Sequence, residues 1–176
     1  MSIDPLRELL LAEYGQLKEE QRARIGLRDN LIYVTLAAYA AIVVGVTTLG
    51  GQGALLLILS GAATVLGWTH LANDEKISAI GRYVRTALAP RVEDLHPRAA
   101  PVFDWEGTHR RDQRRRLRKI LQASTDLLTF NIPALGGLVY YWVNGPWHWS
   151  LITVSLLLLI ASAVLGWQRL LHVDLA

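Results

Sequence analysis

Four apolar stretches set the pattern of this chain, near residues 31–49, 54–71, 127–143 and 149–171. Each is long enough to cross a hydrocarbon layer about 30 Å thick as a helix. From Leu151 to Leu165 there is no charged residue. Gly50-Gly51-Gln52-Gly53 is all that separates the first stretch from the second, and Asn144-Gly145-Pro146-Trp147-His148 all that separates the third from the fourth. Connections this short join antiparallel neighbours, so the pattern predicts two helical hairpins, each crossing the membrane and returning.

Outside the spans the pattern becomes that of amphipathic helices. Asp4 is placed as an N-cap with Pro5 at the first helical position. Leu6, Leu10, Tyr14, Leu17 and Ile25 then form one apolar stripe, with Glu8, Lys18, Glu19, Glu20 and Arg22 mostly off it. This helix, over 4–30, is expected to run on into the first span with a bend near Gly26. A second helix, over 72–89, continues from the second span with Ile77, Ile80, Val84 and Leu88 on one face, and is expected to stop before Pro90. Residues 91–107, with Pro97 and Pro101, read as a loop. Thr108 is a suitable cap for a third, Arg-rich helix that leads through Leu117, Ile120 and Leu121 into the third span. The fold class expected is all-α: a four-transmembrane-helix bundle with cytoplasmic helical extensions that pack on one another.

The two hairpins resemble each other in sequence. Val65-Leu66-Gly67-Trp68 recurs as Val164-Leu165-Gly166-Trp167, each followed by two polar residues and a leucine. Upstream, Asp29-Asn30-Leu31-Ile32-Tyr33 aligns with Asp126-Leu127-Leu128-Thr129-Phe130 at an offset of 97 residues, against 99 for the first match. Chance identity between apolar segments is the plain alternative to duplication. If the copies are real, residues 1–90 and 108–176 form a parallel repeat about an axis along the membrane normal.

Charge orients the hairpins. All 18 Lys and Arg residues lie before Leu31, between Ala72 and Asp126, or at Arg169, and neither short turn carries one. Positive-inside counting therefore puts both termini and the 72–126 segment in the cytoplasm of a bacterial cell, with the chain multi-pass in the inner membrane. The first thirty residues are mixed in charge and show no cleavable signal peptide, so the first span is expected to act as the insertion signal. Arg outnumbers Lys fifteen to three, which fits the codon usage of a GC-rich genome. The chain has no cysteine, which excludes thiolate metal sites and thiol nucleophiles.

Candidate chemistry concentrates in the third span. Pro133 predicts a kink near Thr129 or Asn131. An amide inside hydrocarbon makes Asn131 a pathway candidate together with Thr129, although the same amide serves equally as an interhelical hydrogen bond, with Gly136 and Gly137 allowing close packing. Asp126 and its counterpart Asp29 enter the membrane at matching places, as cation ligands or as solvated partners of Arg28 or another Arg. His70, at the inner end of the second span, is an interfacial residue or a pH sensor. Trp68, Trp142, Trp147, Trp149 and Trp167 lie near span ends and read as membrane anchors. The basic run Arg110, Arg111, Arg114, Arg115, Arg116, Arg118 and Lys119 fits anionic lipid head groups or a soluble partner, each basic residue contributing about 1 kcal/mol near the surface. Nucleic acid is a poor match, since no aromatic interleaving accompanies the charge. His96, His109, His148 and His172 are dispersed without metal-ligand spacing. No nucleophile elbow, phosphate loop or paired carboxylate is present, so neither an enzyme nor a cofactor is expected.

Two strings carry a resemblance. Ile25-Gly26-Leu27-Arg28-Asp29-Asn30-Leu31-Ile32-Tyr33 and Asn73-Asp74-Glu75-Lys76-Ile77-Ser78-Ala79-Ile80-Gly81 resemble those of actinobacterial four-span integral membrane proteins. More loosely, a cytoplasmic helix, two spans and a second cytoplasmic helix resemble the SLATT-type membrane effectors of bacterial conflict systems, which have two spans where this chain has four. That resemblance implies an oligomeric channel or membrane-perturbing effector gated through its cytoplasmic helices, and it brings no site residues with it. A non-conducting anchor or scaffold that recruits a soluble partner is the alternative, and a small dimeric transporter the third.

Overall fold

The computed structural model describes residues 5–50, 53–95 and 115–175. Their regular structure is helical throughout. Helix α1 spans Pro5–Thr48, α2 spans Gly53–Leu95, α3 covers 115–144, and α4 spans Trp149–Leu175. Three of them, α1, α2 and α4, are long and apolar enough to cross a membrane. Helix α3 has the length, but Thr129, Asn131, Pro133, Tyr140 and Tyr141 dilute its apolar half. Asp4, placed as a cap from the sequence, and Thr108 lie outside the described residues. So do Arg110, Arg111 and Arg114.

The chain forms two compact units, and α1 and α2 contribute to both. The first contains Met1–Arg28 and Ala72–Arg116, the second Asp29–Leu71 and Leu117–Ala176. In the first unit, Leu10, Val84, Leu88 and Val92 are buried, with Tyr14, Leu17, Ile80, Tyr83 and Leu95 packed around them. The stripe read from the sequence therefore holds at Leu10, Tyr14 and Leu17, while Leu6 at its start is exposed. Polar clasps join the same two helices. Asn73 Nδ2 donates to the Arg24 carbonyl at 2.6 Å, Arg28 pairs with Asp74 at 3.2 Å, and the Tyr83 hydroxyl donates to Glu13 at 2.7 Å. The bond to the Glu13 carboxylate holds the Tyr83 phenol above its ordinary ionisation range, so it stays a donor.

Helix α2 does not stop before Pro90, as its sequence predicts, but continues to Leu95. The helix widens to a π turn over Val84–Leu88, where the Ala89 N–H reaches back five residues to the Val84 carbonyl. A proline lacks its N–H and crowds the carbonyl four residues earlier, and a widened turn absorbs both effects. Burial of Val84, Leu88 and Val92 on one face keeps the helix going past the ring.

The second unit buries Leu57, Leu138 and Tyr141 in one apolar cluster and, besides them, the polar Thr35, Ser60, Thr64, Ser155 and Ser162, whereas Val44, Val65, Leu157 and Ile160 are exposed. Exposed aliphatic side chains over paired polar ones suit a solvent of lipid tails, where helices gain by packing small residues and pairing polar ones. Ser60 Oγ donates to the Ala134 carbonyl at 2.7 Å, the Thr64 and Ser162 hydroxyls meet at 2.9 Å, and Trp142 Nε1 donates to Ser155 at 3.0 Å. Trp147 in the turn before α4, Trp149 at its start and Trp167 further along it are exposed. At the end of α1, Gly50 turns the chain at φ +78°, a conformation that favours glycine.

The two adjacent glycines of α3 divide their roles. A Cβ on Gly137 would run into Ser60 Oγ and the Leu56 carbonyl, whereas one on Gly136 would meet nothing within 4 Å. Close packing thus belongs to Gly137, and the expectation that Gly136 shares it is corrected. Gly137→Ala is expected to lower stability by about 1–3 kcal/mol through overpacking against backbone, and Gly136→Ala to leave it nearly unchanged. Unfolding of both variants in nanodiscs checks the contrast.

Candidate functional site: a buried ionic cluster

Three ionisable side chains from three helices converge inside the second unit. Asp126 lies on α3 at the end of Arg115–Asp126, immediately before a second π turn over Leu127–Asn131. Arg169 approaches from α4 and is 3% exposed. Its Nη1 lies 3.1 Å from Asp126 Oδ2. His70 comes from α2, is 2% exposed, and places Nδ1 3.9 Å from the same Asp126 oxygen.

The rest of the site serves the arginine. Arg169 Nη2 donates to the Gly67 carbonyl at 2.9 Å, and the guanidinium sits 4.7 Å from the centre of the Phe130 ring. The face of that ring attracts a cation. The His70 ring packs on Phe130 as well, at 5.1 Å between centroids. Gly67 makes the approach possible, because a Cβ there would lie 2.7 Å from Leu165 Cδ2 and 3.0 Å from Phe130 Cβ. Removing charges from water costs several kcal/mol per ion, so a buried pair persists only when its geometry and added hydrogen bonds compensate. Asp126, the Gly67 carbonyl and Phe130 provide that compensation for Arg169.

The π turn beside Asp126 is a consequence of Pro133. Here the Ile132 N–H reaches back to the Leu127 carbonyl, and the widened turn again ends two residues before the proline, as it does before Pro90. Pro133 cannot donate to the Thr129 carbonyl. The Tyr39 hydroxyl of α1 donates to it instead, at 2.9 Å. Asn131, at the end of the turn, is buried and donates through Nδ2 to the Ser162 carbonyl of α4 at 2.9 Å. Gly166 leaves the room for that amide, which would sit 3.1 Å from a Cβ there.

The structure thus brings together Asp126, Asn131 and Pro133 with Arg169, His70 and Tyr39. Thr129 is half-buried, and its hydroxyl back-bonds to the Thr125 carbonyl at 2.8 Å. Asp29 is exposed on α1 and has partners of its own. Of the basic run, Arg115, Arg116 and Arg118 lie on α3 with side chains outside the described set, and Lys119 is half-buried and engaged with a neighbour.

No known protein family, curated protein or solved structure matches this chain. Its chemistry must be read from the cluster itself. Among the described residues no three His, Asp or Glu side chains gather as a metal site would need. Asp126 and Arg169 form an ion pair across α3 and α4, and His70 brings α2 to the same carboxylate. The arrangement can therefore lock three helices together.

Arg169 and Tyr39 were not singled out from the sequence. A signal existed for Arg169, which is the single charged residue between Leu151 and Leu171 and falls at the position matching His70 in the repeated Val-Leu-Gly-Trp motif. Nothing local marks Tyr39, whose role exists only through Pro133. Tyr39→Phe is expected to cost about 0.6–2 kcal/mol by stranding the Thr129 carbonyl. Tyr33→Phe, at a side chain 70% exposed, is expected to cost nothing measurable. Unfolding of the two variants in bicelles separates them.

Proposed function

We propose that the chain is a bacterial inner-membrane protein whose copies assemble into a channel or membrane-perturbing effector, gated through its cytoplasmic helices. One observation carries the reading: a buried arginine and a buried histidine meet a half-buried aspartate where α2, α3 and α4 converge. Ionisable residues inside spans are costly and mark sites of function by default.

Four spans with both termini inside is the topology that the charge distribution favours, and α3 counts as the third span despite its polar residues. In that topology the Pro5–Thr48 helix passes from the cytoplasm through the bilayer without a break in helical structure, which suits the relay of a signal. The parallel repeat also fits, since His70 and Arg169 hold matching positions and approach the same carboxylate. Ser60, Thr64, Asn131 and Ser162 are committed to bonds between or within helices. A conduit therefore forms more readily between copies than through one. The likeness of layout to SLATT-type effectors points the same way, and the basic run around Lys119 would hold the inner end of α3 at anionic lipid.

Reconstitution tests this directly. The expected result is an oligomer in nanodiscs and conductance in liposomes of the same preparation. A monomer that conducts nothing would favour the anchor or scaffold. Single cysteines at Thr48 and His148 are expected to react with an impermeant reagent from outside, and one at Ala79 is not. In Asn131→Leu, unchanged activity per assembled oligomer is expected, since Nδ2 is turned to the Ser162 carbonyl of α4. A fall in that ratio would return Asn131 to the pathway.

A further inference from the structure

At the ends of α3 and α4 remote from the ionic cluster, a cavity of about 330 Å³ lies beside the turn that joins them. That volume is within the range of about 300–1,000 Å³ that ligand pockets occupy. Tyr141 and Trp142 of α3, Trp147 of the turn, and Ile152 and Leu156 of α4 line it, and its surface is almost wholly carbon. Two of the aromatic walls are pinned by hydrogen bonds. The Tyr141 hydroxyl donates to the Pro146 carbonyl at 2.9 Å, and Trp142 Nε1 donates to Ser155 Oγ at 3.0 Å. A Cβ on Gly145 would run into the Tyr141 ring, so a glycine there lets the ring fold against the turn. With these donors turned to partners in the chain, the cavity offers shape and dispersion contact. Such a lining suits an apolar ligand.

We infer that this cavity is a binding site for one acyl chain of a membrane phospholipid, entered from the lipid-facing side of α4. Position decides for a tail over a molecule from the water. The exposed Trp147 and Trp149 stand at the turn, and indoles gather at the level of the head groups. Leu156 lies about 10 Å further along α4 than Trp149, at a rise of 1.5 Å per residue, so the cavity runs from that level toward the tails. Leu156 is at once a wall of the cavity and 49% exposed. It shares the outer surface of α4 with the exposed Leu157 and Ile160, so the opening faces the acyl chains of the bilayer. A tail is narrow, flexible and apolar, and its entry supplies the dispersion contacts that a void forfeits. The site rests on the reading of α3 and α4 as spans and is independent of conductance.

A phospholipid carrying a diazirine midway along one acyl chain tests the site, photolysed in nanodiscs with the full chain and read by peptide mass spectrometry. Two pairs compare like with like: Leu156 with Leu157, which is 61% exposed, and Ile152 with Ile160, which is 60% exposed. In each pair the second residue is the more exposed and lies outside the cavity. Higher adduct yield at Leu156 and Ile152 is expected. Ile152→Trp, which fills the cavity, is expected to remove the adduct at Leu156 and keep the one at Leu157. Yields that follow exposure, with Leu157 and Ile160 ahead, mean annular lipid only and overturn the site. An adduct that survives at Leu156 in Ile152→Trp overturns it too, as does a cavity closed by a second copy, which leaves Ile152 and Leu156 unlabelled. If Ile152→Trp fails to fold, the two pairs in the unsubstituted chain decide by themselves. Failure of the span reading looks different, because Leu157 and Ile160 then gain no adducts either and both ideas fall.

Discussion

Arg169 cannot leave Asp126 without stranding a charge inside the helical unit, and much of the second unit is arranged around that fact. Gly67 has no side chain, so Phe130 of α3 and Leu165 of α4 pack directly against α2 beside the pair. Phe130 then covers the cation with its ring face, and the Gly67 carbonyl takes a second N–H. Asp126 and Phe130 come from α3 and the Gly67 carbonyl from α2, so the contacts of Arg169 also fix which faces of α2, α3 and α4 look inward. Seryl and threonyl hydroxyls continue the same inward polarity along Ser60, Thr64 and Ser162, beside buried Leu57, Leu138 and Leu165.

Proline shapes both units by the same physics. Pro90 and Pro133 each follow a π turn by two residues, and in each case the helix carries on. The difference lies in what surrounds the disturbed backbone. Near Pro90 a row of buried valine and leucine holds the helix to the core of the first unit. Near Pro133 the compensation is polar, with Tyr39 taking the Thr129 carbonyl and Asn131 reaching α4. The second arrangement sits beside the ionic cluster, with Asp126 immediately before the widened turn.

Much of this architecture was legible from residue pattern. Helical content, the length of the apolar segments, and the stripe of Leu10, Tyr14 and Leu17 against Ile80, Val84 and Leu88 follow from spacing alone. Features that depend on a neighbour were not. Pro90 reads as a helix stop because the sequence does not show the core that overrides it. Gly136 and Gly137 look equivalent until Ser60 and Leu56 are placed against one of them. Asp126 is visible as a carboxylate entering a span, but its partner is 43 residues away (169 − 126), and the choice between Arg28 and Arg169 is made by packing. Tyr39 is hidden for the same reason, since its acceptor exists only because another helix carries a proline.

If the buried pair is the constraint on which the second unit depends, its two members must be coupled far more strongly than surface charges are. A double-mutant cycle in nanodiscs with Asp126→Asn, Arg169→Gln and the combined variant measures that coupling. Each single change is expected to cost about 3–5 kcal/mol by leaving an uncompensated buried charge, and the combined change to cost less than either alone. Single costs below about 1 kcal/mol that simply add in the double variant, as exposed pairs behave, would contradict the account.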